Sequence, residues 1–109
     1  MIAPTPTPPY YAVIFTSIHT DFDAAAYSDA AERMMELATE QPGFLGVESA
    51  REGVGITVSY WSSLEAIRAW KANAEHLTAQ QNGREQFYRQ YKTRIAKVER
   101  DYGFGSPAL

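Results

Sequence analysis

The first apolar block along the chain is Y-Y-A-V-I-F-T-S-I-H, residues 10–19. It is aromatic and β-branched, which predicts a strand. The alternation is poor, because Tyr11, Val13 and Phe15 are apolar and so are Ala12, Ile14 and Ile18. A strand apolar on both sides is covered on both faces. The period then changes. From about 24 to 41, Tyr27, Ala31, Met34 and Ala38 recur at helical spacing, with Ala30, Leu37 and Gln41 beside them and Asp29, Glu32, Arg33, Glu36 and Glu40 opposite. Thr20, Asp21 and Asp23 are candidate N-caps, and Pro42-Gly43 stops the helix. Two short runs, 44–51 and 55–61, predict a hairpin turning around Glu52-Gly53-Val54-Gly55. Thr57, Ser59 and Trp61 share one face of its second strand, and Val58 and Tyr60 the other.

A second helix follows. Ser62-Ser63-Leu64-Glu65 fits a capping box, with Glu65 reaching back to the cap amide at Ser62. Leu64, Ile67, Trp70, Ala74 and Leu77 share its apolar face. Arg84, Phe87, Tyr88 and Tyr91 also stand at helical spacings, which predicts a short additional helix over about 81–90. A last strand is expected over about 92–102, ending in the alternating charges Lys97, Glu99, Arg100 and Asp101. The order β-α-β-β-α-(α)-β defines an α+β, ferredoxin-like domain, an antiparallel sheet with helices on one face. A second copy of the same sheet is the economical cover for the other face, giving a two-fold homodimer. Residues 1–9, rich in proline, read as an extended arm; 10–102 form the domain; 103–109 form a tail.

Composition narrows the function. A chain of 109 residues is one domain. A net charge of −3 lacks the basic balance of a nucleic-acid binder. With no cysteine there is no thiolate metal site and no thiol nucleophile, and the two histidines are far apart in sequence, so no metal is expected. No apolar run is long enough for a membrane span and the start is not a signal peptide, so a cytoplasmic location is expected. The 13% aromatic content is unusual for so short a chain and points to an aromatic core, pocket or interface.

Several motifs together resemble one family. They are Q-P-G-F-L-G at 41–46, S-Y-W-S-S-L-E-A-I-R-A-W-K at 59–71, E-H at 75–76, G-R at 83–84 and V-E-R-D-Y at 98–102. Over about 10–102 the chain is similar to antibiotic biosynthesis monooxygenase domains. That resemblance implies a dimeric α+β barrel. It also implies a monooxygenase that converts phenols to quinones with no cofactor, dioxygen being the co-substrate. Alternatives on the same fold are a non-catalytic dimeric small-molecule-binding protein and a haem-degrading enzyme. In the quinone-forming members a helix Trp acts with a Tyr six residues later and an Asn four residues earlier. Trp70 holds the Trp position, His76 stands where that Tyr would be and Ala66 where the Asn would be. The haem-degrading type uses an Asn on the first strand, and this chain has none before Asn73.

The expected catalytic pair is therefore Trp70, stacking on a flat ligand, and His76, a base of near-neutral pKa. An unbroken helix turns six residues through roughly 600°, about 120° off register. The pair meets in one cavity only if the helix breaks near Asn73-Ala74-Glu75. Phe15, Thr16, Ser59, Arg84, Phe87 and Tyr88 are the expected binding residues for a small aromatic ligand between sheet and helices. Arg84 would neutralise an anionic group at the mouth. His19 reads as a loop residue closing the first strand.

Overall fold

The computed structural model describes residues 1–20, 24–81 and 87–105. The elements run β1 (Tyr10–His19), α1 (Ala24–Thr39), β2 (Phe44–Glu52), β3 (Val54–Trp61), α2 (Leu64–Gln81) and β4 (Tyr88–Val98). The strands form one antiparallel sheet in the order β2-β3-β1-β4, so the two central strands are β3 and β1. This is the α+β, ferredoxin-like arrangement that the element order predicts. No helix among the described residues is long and apolar enough to cross a membrane.

Register divides the sheet into two unlike faces. On the helix side Tyr11, Val13, Phe15, Ser17 and His19 of β1 stand beside Trp61, Ser59, Thr57 and Gly55 of β3. Tyr91, Thr93, Ile95 and Lys97 of β4 continue the same rows. On the other side lie Ile14, Thr16 and Ile18 with Val58, Ile56 and Val54. Here no helix among the described residues lies over the sheet, and Val54 and Ile56 are 48% and 45% exposed. The two-sided apolar character of β1 has this origin.

Several expectations are corrected in detail. Of the helix expected over 81–90, Phe87 is helical, but 88–90 already belong to β4. Residues 82–86 of that stretch lie outside the described residues. Tyr88 and Tyr91, three apart, share a face because β4 carries a bulge. Ile18 pairs with Gln90 but His19 pairs with Tyr88, leaving Arg89 as an extra residue. The cap of α2 is Ser63 and not Ser62, since Ser63 Oγ accepts the Ala66 amide at 3.1 Å. Ser62 instead donates its amide to the Gly43 carbonyl at 2.8 Å. Gly43 itself has φ +89°, the left-handed turn that ends the α1 connection. The break in α2 that a shared cavity for Trp70 and His76 would need does not occur. Asn73 leaves the helix intact and donates to Gln41 Oε1 at 3.0 Å, tying α2 to the end of α1.

The proline-rich arm is held to the sheet. The Ala3 amide donates to Glu48 at 2.8 Å, and the Tyr60 hydroxyl donates to the same carboxylate at 2.7 Å. The Ala3 amide, then Tyr60, hold the Glu48 carboxyl below its usual pKa, while burial and then Glu48 push the Tyr60 phenol up to about 12. Thr5 donates to the Tyr10 hydroxyl at 3.1 Å, and Tyr10 in turn donates to Asp101.

Candidate functional site

Two groups of rings occupy the helix side of the sheet. The first is centred on Trp61, which is fully buried at the end of β3. Trp70 of α2 stacks on it with centroids 5.8 Å apart and planes 23° apart. Phe44 meets it edge-on at 5.4 Å. The Trp61 indole N–H donates to Ser59 Oγ at 2.9 Å. The second group begins at Phe15, four residues along β1 from the Trp61 row and roughly 13 Å away at the rise of a strand, and extends a further four residues to His19. There His19 packs against Tyr27 of α1 at 4.5 Å and Tyr88 of β4 at 5.5 Å. Phe15 meets Tyr88 at 5.4 Å and Tyr91 at 5.3 Å. Phe87, buried, closes on Tyr27 edge-on at 5.4 Å. Between the groups runs the row Ser59, Val13, Ile95. Ile95 is 52% exposed, so the helix side is open to solvent along β4.

The second group holds most of the titratable chemistry. Burial, and then the nearby Arg51 cation, pull the His19 pKa below the ordinary histidine value, so its imidazole is neutral at pH 7. Burial, followed by the neighbouring Tyr27 hydroxyl, pushes the Tyr88 phenol well above its usual value, so it stays protonated. Arg51 crosses from β2 over Gly55 and donates to the Ser17 hydroxyl and, at 3.4 Å, to the Ser17 carbonyl. Among the described residues no group of three or more His, Asp or Glu side chains is arranged to hold a metal ion.

The expected binding residues divide. Phe15, Phe87 and Tyr88 come together in the second ring group, and Ser59 lies on the same sheet face beside the first. Thr16 does not join them. It follows Phe15 along a strand, so it points to the open face, opposite Ile56. Arg84 lies outside the described residues. Trp70 is half-buried against Trp61, whereas His76 is exposed six residues further along the continuous α2. The spacing therefore directs the two away from a shared cavity. Glu75, beside His76, pairs with Lys71 at 3.8 Å. The residues that sequence reasoning missed are His19, Tyr27 and Arg51. Their neighbours come from β1, α1, β2 and β4, and no local spacing signals that meeting. A shallow open cleft lined by Thr7, Pro8, Glu99, Arg100, Asp101 and Tyr102 lies by the arm and contains none of these side chains.

Fold and site together define an α+β domain with an aromatic-lined helix side, open along one edge. Comparison with known proteins makes the class specific: the chain belongs to the antibiotic biosynthesis monooxygenase family, whose profile matches residues 9–82. It is 54% identical over 101 residues to the uncharacterized protein YqjZ of Bacillus subtilis (strain 168), covering 91% of this chain and 88% of that protein. Its fold is similar to that of SnoaB, a cofactor-independent oxygenase from Streptomyces nogalater, with TM-score 0.65, 11% identity and coverage of 91% of this chain and 100% of that one. PA3566 from Pseudomonas aeruginosa is similar at TM-score 0.65 and 16% identity, covering 90% of this chain and 100% of that one.

Proposed function

We propose that this chain is a cofactor-independent monooxygenase that oxidises a flat, electron-rich phenol on the helix side of its sheet. The observation that carries the reading is His19, a histidine kept neutral by burial and packed between aromatic side chains. Family membership and the fold shared with SnoaB support it. In this scheme His19 takes the phenol proton, and the phenolate passes one electron to dioxygen. The resulting radical pair joins at a ring carbon, forming a C–O bond. Loss of the proton on that carbon with O–O cleavage leaves a quinone and hydroxide, which regains the proton from His19 as water. One phenol and one dioxygen thus give one quinone and one water. Phe15, Tyr88 and Tyr91 wall the ring of the substrate, and Ser59 and Trp70 bound the far end of the face. His76, exposed on α2, has no part in this scheme.

The test is an oxygen-electrode assay with metal-stripped protein and a dihydroxynaphthalene or anthrone. Stoichiometric oxygen uptake with quinone formation is expected. Saturable binding of the phenol with no oxygen uptake would leave a small-molecule-binding protein instead.

We further propose that the open sheet face is covered by a second copy. Ile14, Ile18, Val54, Ile56 and Val58 make a continuous apolar strip on central strands, a pattern that in monomers stays small. Light scattering at micromolar concentration is expected to give twice the 12.2 kDa chain mass. A stable monomer would rule the pairing out.

A further inference from the structure

Arg51 is not explained by the fold. It lies at the end of β2, where a strand residue beside a turn is ordinarily solvated. Exposed though it is, its side chain is laid across β3 and anchored at β1, where it meets both the hydroxyl and the carbonyl of Ser17. Ser17 is the buried polar residue of that strand, at 2% exposure. The path is open because residue 55 is glycine: a Cβ there would overlap the Arg51 guanidinium. A guanidinium carries five N–H donors in a fixed fork, and Ser17 uses only part of that fork. Among the described residues Arg51 has no carboxylate partner; the ion pairs there are Arg33–Glu36 and Lys71–Glu75. It is near enough to His19 and Tyr88 for its charge to act on both. A fixed cation with no carboxylate partner among the described residues thus stands beside an aromatic nest.

We infer that Arg51 is the specificity-determining residue of this site and that it selects flat aromatic ligands bearing an anionic group, such as an arene carboxylate. The inference rests on the helix-side rings being the binding site, as in the function proposed above. The rings take the flat face of the ligand, and the open edge of the Arg51 fork takes the carboxylate. Charge-assisted, two-point bonding of a planar anion is what a guanidinium does better than an ammonium. Ser17 fixes the fork in advance, which lowers the ordering cost of binding.

The experiment compares naphthalene-2-carboxylate with the isosteric neutral naphthalene-2-carboxamide by isothermal titration calorimetry of the full chain at pH 8, where His19 carries no charge. The expected result is a preference for the carboxylate of about ten- to a hundredfold, the worth of a hydrogen-bonded charge. Arg51→Gln should abolish that preference while leaving amide affinity within about twofold. Removing Arg51 leaves buried Ser17 short of a partner, so a second variant guards against misfolding. Gly55→Ala keeps the charge and suits extended strand backbone, but displaces the guanidinium; it too should lose the preference. Equal affinities in the wild type, a preference that survives Arg51→Gln or Gly55→Ala, or binding of neither probe would each overturn the inference. The oxygenase reading fails separately: preference without oxygen uptake removes only that reading, and oxygen uptake without preference removes only this one.

Discussion

Replacing His19 with alanine is expected to lower kcat/KM for oxidation of an electron-rich phenol by about 10²- to 10⁴-fold, the usual contribution of a positioned general base. His76→Ala, on the exposed side of α2, should leave it unchanged. The direction of the pH dependence follows from the environment of His19. Burial and Arg51 both disfavour its cation, so its pKa in the folded chain lies below the ordinary 6.5. A base works only when unprotonated. The rate should therefore be flat from neutral pH upward and fall on the acid side, with the limb displaced below pH 6.5. Stability linked to His19 has the same sign. The unfolded chain takes up the proton first, so stability is present above 6.5 and declines as pH falls toward the folded pKa. A pH–rate profile whose acid limb sits above 6.5, or a His19→Ala variant with wild-type turnover, would remove His19 from the chemistry.

The largest loss of stability is expected at Trp61. Trp61→Ala should cost about 3–5 kcal/mol, as truncation of a fully buried aromatic does. The side chain has no exposed surface, stacks on Trp70, meets Phe44 edge-on and donates its indole N–H to Ser59. Removing it opens a cavity and strips α2 of its main anchor on β3. Against a total stability of about 5–15 kcal/mol this is a large fraction. Trp70→Ala should cost distinctly less, because Trp70 is half-exposed and its loss opens a notch rather than a sealed hole. Urea denaturation monitored by circular dichroism orders the two variants. Equal midpoints would contradict the burial difference.

The two tryptophans show what the sequence could and could not convey. Trp70 announces itself by helical spacing with Ile67 and Ala74, and its place on the apolar face of α2 was legible. Trp61 is the more deeply buried of the two, yet a single residue at a strand end carries no periodicity. The sheet and its order were legible because β1 and the hairpin are built from β-branched and aromatic runs bounded by turn residues. Leu64, placed on the helix face by spacing, is instead 43% exposed. The site was less legible than the fold. Phe15, Ser59, Phe87 and Tyr88 were named from chemistry and do lie on the helix side. His19 was read as a loop residue because its neighbours are remote in sequence: Tyr27 from α1, Tyr88 from β4 and Arg51 from β2. Thr16 was named beside Phe15 although alternation sends the two to opposite faces.

The bulge at Arg89 explains the remaining misreading. Three-residue spacing of Tyr88 and Tyr91 suggested a helix, but one surplus residue in a strand produces the same co-facial result. The aromatic nest is thus set by chain length as well as by residue identity. In a related chain that keeps every ring and the three-residue spacing but pairs regularly along β4, alternation would turn the ring at the position of Tyr88 toward the open face. The rings would all be conserved and the nest would be gone. Among members of this family, the spacing of these two rings read together with the pairing of β4 on β1 therefore carries information about the site that the identity of the rings alone does not.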